Sequence, residues 1–113
     1  LLRLLHGGIP LSRFERMQAW LASQGRRVWE PDRMYHLRGT PDELIGVEVD
    51  TRPVADHVLA GLKEHRSQRH VIWDGGSDEE WRNASSRETH VIAWPPRAPG
   101  QDRIQDIFEG LNQ

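Results

Sequence analysis

Phe14, Met17 and Leu21, with Trp20 beside them, set apolar side chains three or four residues apart, and Ser12 followed by Glu15 has the form of a capping box. A helix is therefore expected from about residue 12 to 24, closed by Gly25. The residue before a proline avoids the α region, which makes Trp29-Glu30-Pro31 extended and leads into a strand over Met34-Tyr35-His36-Leu37. On a strand Tyr35 and His36 face opposite sides, and Tyr35 is the one expected in the core. Gly39-Thr40-Pro41-Asp42 turns the chain, and Ile45 to Val49, rich in β-branched residues, is a second strand expected to pair with the first.

Asp50 or Thr51 then stands where a cap is needed, and Pro53 suits a first helical turn whose N–H has no partner. The helix is expected to run from Pro53 to His65, with Val54, Val58, Leu59 and Leu62 on its apolar face. Its end is unusually polar: His65, Arg66, Ser67 and Gln68 follow one another. Groups of this kind either bond the last free carbonyls of the helix or line a pocket or interface, and His65, Arg66 and Gln68 are the candidate substrate-side or interface residues.

Downstream, Val71-Ile72-Trp73 is a short apolar run closed by Asp74-Gly75-Gly76, and Ser77 with Glu80 forms a second capping box for a helix to about Ser85. His90 to Trp94 alternates as a half-buried strand does and is stopped by Pro95-Pro96. Ile104, Ile107, Phe108 and Leu111 fall on one face of a final helix expected to start at Asp102. At the other end, Leu1, Leu2, Leu4 and Leu5 before Gly7-Gly8 look like the last turn of a helix. The whole is an α/β pattern of several helices with about three short strands and no internal repeat.

With 113 residues the chain has the length of one domain, although only 36% of it is hydrophobic and five tryptophans supply much of the apolar bulk. Fifteen basic and seventeen acidic side chains are interspersed, so no basic surface for nucleic acid is indicated. Arg26-Arg27 sits where positive charge offsets a helix dipole. There is no cysteine, hence no disulfide framework, and no apolar run approaches the roughly 20 residues of a membrane span. These features together point to the cytoplasm. The sequon Asn83-Ala84-Ser85 falls within a helix and is read as chance.

Six histidines raise the question of a metal, yet no two stand at i, i+4 or in His-x-x-His spacing, so no metal site is expected from this chain alone. Asp42-Glu43 and Asp78-Glu79-Glu80 lie at a turn or a helix start, where backbone N–H groups stabilise carboxylates, and neither is read as an acid/base pair. Trp73, Trp81 and Trp94 offer either core packing or an aromatic ledge.

The segment Val49-Asp50, then a helix ending Leu62-x-x-His65-x-Ser67-Gln68, resembles the C-terminal part of the PIG-L (LmbE-like) zinc-dependent N-deacetylases. Trp29-x-Pro31-x-x-Met34-Tyr35 and Glu80-Trp81-Arg82 with Glu88 agree with the same family in the same order, so the likeness covers roughly residues 28 to 94. It implies a Rossmann-like α/β parent enzyme that hydrolyses an N-acyl amide of the N-acetylglucosamine type with zinc as its cofactor. The family's metal-binding Ala-His-Pro-Asp-Asp and His-x-x-His segments do not occur in these residues. The chain is thus expected to be one partial domain, residues 1 to 113, lacking the N-terminal metal-binding half and inactive alone. It would contribute scaffold and a pocket wall facing a small N-acylated substrate. The competing expectation is a non-catalytic interaction or homo-oligomerisation domain, suggested by the missing ligands and the Trp- and Pro-rich C-terminal third.

Overall fold

A computed structural model of the protein describes residues 2–26, 28, 39–68 and 76–111. Among them are three helices and three strands, a mixed α/β set. The expected strand over Met34 to Leu37, with Tyr35 and His36, and the apolar run Val71 to Trp73 lie outside the described residues. The chain divides into two compact units: residues 1–48 with 89–113, and Val49–Glu88.

The first unit is organised by a three-stranded sheet in the order β1 (Leu4–Gly7), β3 (Arg87–Trp94), β2 (Ile45–Asp50). β1 runs antiparallel to β3, with Leu5 opposite Ile92 and Gly7 opposite His90, and the register shifts between Leu4 and Leu5. This corrects the helical reading of the leucine run. Four leucines in five residues have no period of their own, so the partner strand decides their conformation. The pairing continues past Gly7, where the Gly8 N–H reaches the Thr89 carbonyl at 3.3 Å. The buried Thr89 hydroxyl donates to the Gly8 carbonyl, which satisfies the one polar side chain buried among the described residues.

The outer side of β2 is covered by the segment after β3. Ile104 gives its N–H to the Gly46 carbonyl and accepts from the Glu48 N–H, both at 2.9 Å, forming a parallel bridge with Val47. The final helix expected from Asp102 is therefore absent: residues 102–111 form a bridge and turns, and Phe108 is 62% exposed. Gly110 at φ +77° takes a left-handed conformation inside what would have been the helix. The sheet's demand for paired edge groups has overridden the helical spacing.

Helix α1 (Leu11–Ser23) matches its expected span. Its cap differs, because Pro10 occupies the N-cap and Ser12 lies inside the first turn. Two carboxylate oxygens of Asp42, which opens the 3-10 turn Asp42–Leu44, do the capping: one accepts the Ser12 N–H at 2.9 Å and the other the Ser12 hydroxyl. At the far end the Arg26 guanidinium lies 5.3 Å from the Trp20 ring centroid. Among the described residues of this unit, Phe14, Ile45 and Val47 are buried apolar side chains, the last two almost fully so.

Gly46 stands between Ile45 and Val47, and the sheet leaves no room for a side chain there. A Cβ would come within 2.9 Å of Ile92 Cγ1 and 2.8 Å of Arg97 Cδ. Gly46→Ala is accordingly expected to cost about 1–3 kcal/mol by overpacking, measured as a lower denaturant midpoint. An unchanged midpoint would mean that β3 is more loosely packed on β2 than this geometry requires.

In the second unit, a 3-10 turn over Arg52–Val54 precedes α2 (Ala55–Lys63), which packs with α3 (Asp78–Ala84). Pro53 sits in that turn as the sequence suggests, but α2 begins two residues later and ends two residues earlier than expected. Its buried residues are Ala55 and Leu59, with Leu62 half-buried on the same stripe; Val54 and Val58 are exposed. Of the expected apolar face, Leu59 and Leu62 turn inward as the spacing suggests, while Val54 and Val58 do not and Ala55 is buried in their place. The start of α3 agrees fully: Ser77 accepts the Glu80 N–H at 3.2 Å and Glu80 returns a bond to the Ser77 N–H at 3.3 Å.

Candidate functional site

Three polar constellations can be placed. The first is the end of α2, which carries the candidate residues His65, Arg66 and Gln68. Main-chain groups close the helix: the Glu64 N–H reaches the Gly61 carbonyl and the His65 N–H reaches the Leu62 carbonyl, each at 3.2 Å. Residues Arg66–Gln68 then make one 3-10 turn. The His65 imidazole makes no hydrogen bond among the described residues, so the capping role open to it is filled by backbone. Its side chain and that of Arg66 are exposed. Arg66 approaches Glu64 at 3.9 Å with both groups more than 70% exposed, a contact that contributes little stability. The structure therefore brings His65 and Arg66 together on an exposed helix end.

The second constellation surrounds the start of that same helix. Asp50 closes β2 and turns its carboxylate onto Arg52, accepting from the Arg52 main-chain N–H at 3.0 Å, from Nε at 2.9 Å and from Nη2 at 2.7 Å. Of the two expected caps it is Asp50 that takes a backbone N–H of the following turn; the Thr51 hydroxyl donates to the Ser85 carbonyl instead. The bonds from Arg52 hold the Asp50 carboxyl down from 3.8 to about 2. Asp56 with Arg82 at 2.6 Å and Lys63 with Asp78 at 3.1 Å connect α2 to α3. Asp50, Arg52, Asp56, Arg82, Lys63 and Asp78 are each paired with a neighbour, as scaffold requires.

The third constellation has no local sequence signature. A notch of about 120 Å³ lies in the first unit where β3 ends, with Ile92, Pro95 and Ile104 as apolar walls and Arg3, Arg97 and Asp102 as its charged groups. Arg3 donates to the Ile107 carbonyl at 2.6 Å and the Glu109 carbonyl at 2.7 Å. Arg97 donates to the Ile45 carbonyl at 3.1 Å, the Glu43 carbonyl at 3.5 Å and the Gln101 carbonyl. Both arginines thus fasten the irregular C-terminal segment to strands. Spacing points to neither residue, since Arg3 lies in a leucine run that looks helical and its partners are more than 100 residues away.

The carboxylates at turns and helix starts are accounted for by structure. Asp42 caps α1, and Asp78, Glu79 and Glu80 open α3. Trp94 is 47% exposed in the first unit, Trp81 lies in α3 of the second, and Trp73 is outside the described residues. Among the described residues no three His, Asp or Glu side chains gather where they could hold a metal ion.

Asp42 supplies a test of the first unit. The hydroxyl and then the N–H of Ser12 lower its pKa, assisted by Arg103 and Arg16 and opposed by burial. A carboxyl depressed in the folded state adds stability above its unfolded pKa, near 3.9, and that stability is lost as pH falls through the folded value. Asp42→Asn is expected to lower stability at neutral pH and to flatten its dependence on pH below about 4. Parallel stability curves for the two proteins would show that Asp42 is not the cap of α1.

Comparison of the chain with protein-family models, with curated proteins and with solved structures gave no match in any of the three.

Proposed function

We propose that this chain is the C-terminal part of a PIG-L-type zinc-dependent N-deacetylase with a Rossmann-like parent fold, acting in the cytoplasm on an N-acylated small molecule of the N-acetylglucosamine type. The observation that carries the reading is the order of the motif residues along local structure. β2 ends on Val49-Asp50, α2 holds Leu62 in its last turn, His65 follows the helix, and Ser67 lies in the short turn beyond. A strand, a helix and a polar exit in that sequence suit a segment that supports a pocket and presents His65 and Arg66 at its margin.

In this reading zinc is held by residues outside these 113, because the family's two ligand motifs are absent from the sequence. No step of the hydrolysis is assigned to this chain's own groups; its part is scaffold and pocket wall. No described helix is long and apolar enough to cross a membrane. The experiment is an N-acetyl hydrolase assay on the longer polypeptide that contains this chain, with and without chelator. Activity that chelator abolishes supports the reading, and a longer polypeptide with no His-Pro-Asp-Asp segment ahead of Leu1 removes it.

A second reading, a non-catalytic domain that associates with another copy, is favoured by one observation. Leu2, Leu4, Trp94 and Phe108 of the first unit are all more than 40% exposed. Light scattering separates the two: a concentration-dependent dimer without hydrolase activity in the longer polypeptide supports association alone.

A further inference from the structure

The notch at the end of β3 has a charge pattern that the scaffold does not use up. Arg3 and Arg97 are held by main-chain carbonyls, which fix the guanidinium groups in place and neutralise no charge. Among the described residues neither is paired with a carboxylate. The Nε of Arg3 is buried, and among the described residues no acceptor reaches it. A buried N–H donor without an acceptor is costly, and an arginine donor is best satisfied by a carboxylate or phosphate oxygen. Among the described residues Asp102 is the one acidic group in the lining, against two arginines.

We propose that this notch binds a small aliphatic carboxylate. Its volume of about 120 Å³ is below the roughly 300–1,000 Å³ of pockets that enclose drug-sized ligands, so the occupant has only a few heavy atoms. The charge excess of two arginines over one carboxylate selects an anion. Ile92, Ile104 and the ring of Pro95 present carbon to the rest of the occupant. A short alkyl chain matches those walls, whereas a tetrahedral oxyanion would turn solvated oxygens onto them. Binding at this notch does not depend on the deacetylase reading.

Titration of the 113-residue chain with sodium propionate, followed by amide NMR at constant ionic strength, tests it. Saturable shifts are expected at Ile92, Arg97 and Ile104, with a Kd in the millimolar range. Arg3→Gln is expected to abolish them. Because that variant also loses the bonds to the C-terminal segment, Asp102→Asn is the independent check: removing the one negative charge should tighten binding roughly three- to tenfold. Absence of saturable shifts up to about 50 mM propionate, equal or tighter binding of phosphate, or an unchanged affinity in Asp102→Asn would each overturn the proposal.

Discussion

Ile45→Ala is expected to remove about 2–5 kcal/mol of stability, a large share of a total on the order of 5–15 kcal/mol. Ile45 is 1% exposed and Val47 is fully buried, and with Phe14 they are the buried apolar side chains described in the first unit. In the second unit the matching change is Leu59→Ala, at a residue 5% exposed, with a loss of similar size, while Val58→Ala one position away should cost less than about 1 kcal/mol. Urea melts followed by tryptophan fluorescence measure all three. If Val58→Ala costs as much as Leu59→Ala, Val58 belongs to the buried face of α2 together with Leu59, against the exposure the structure gives it.

That contrast shows what spacing alone leaves open. Val54, Val58 and Leu62 form an apolar stripe at helical period, and so do Ala55, Leu59 and Leu62; the period is common to both. Which one is buried depends on where the helix begins. The 3-10 turn through Pro53 delays α2 to Ala55, and the neighbouring α3 determines the phase. Elements whose cause is local were legible: the Ser77 and Glu80 box lies within four consecutive residues, and α1 follows its own apolar repeat.

Elements whose cause is distant were not legible. β1 is a strand because β3 pairs with it more than 80 residues later, and the tail is irregular because Ile104 must bridge to Val47 and Arg3 holds the carbonyls of Ile107 and Glu109. The Asp42 cap of α1 belongs to the same class, since a carboxylate 30 residues away replaces the local box. Of the candidate site, the order strand, helix and polar exit was readable from Val49 to Gln68. The notch with Arg3 and Arg97 was not, because it is assembled from both ends of the chain.

The second large effect concerns catalysis. A catalytic zinc needs three protein ligands and an open position, and it lowers the pKa of its bound water toward 7. In the proposed deacetylase those ligands precede Leu1, so the 113-residue chain should bind zinc weakly and hydrolyse no N-acetyl amide. The longer polypeptide should bind zinc stoichiometrically. Chelation should then cut its turnover by at least about a hundredfold, the loss of more than roughly 2.7 kcal/mol of barrier lowering.

The most direct measurement puts both proteins in one assay: release of acetate from an N-acetylglucosamine conjugate by the longer polypeptide and by the 113-residue chain, each with zinc and with chelator. Chelator-sensitive release by the longer polypeptide alone is the expected result. Release by the 113-residue chain that chelator abolishes, with sub-micromolar stoichiometric zinc binding, would contradict the proposed division of roles, as would a longer polypeptide that binds no zinc and releases no acetate.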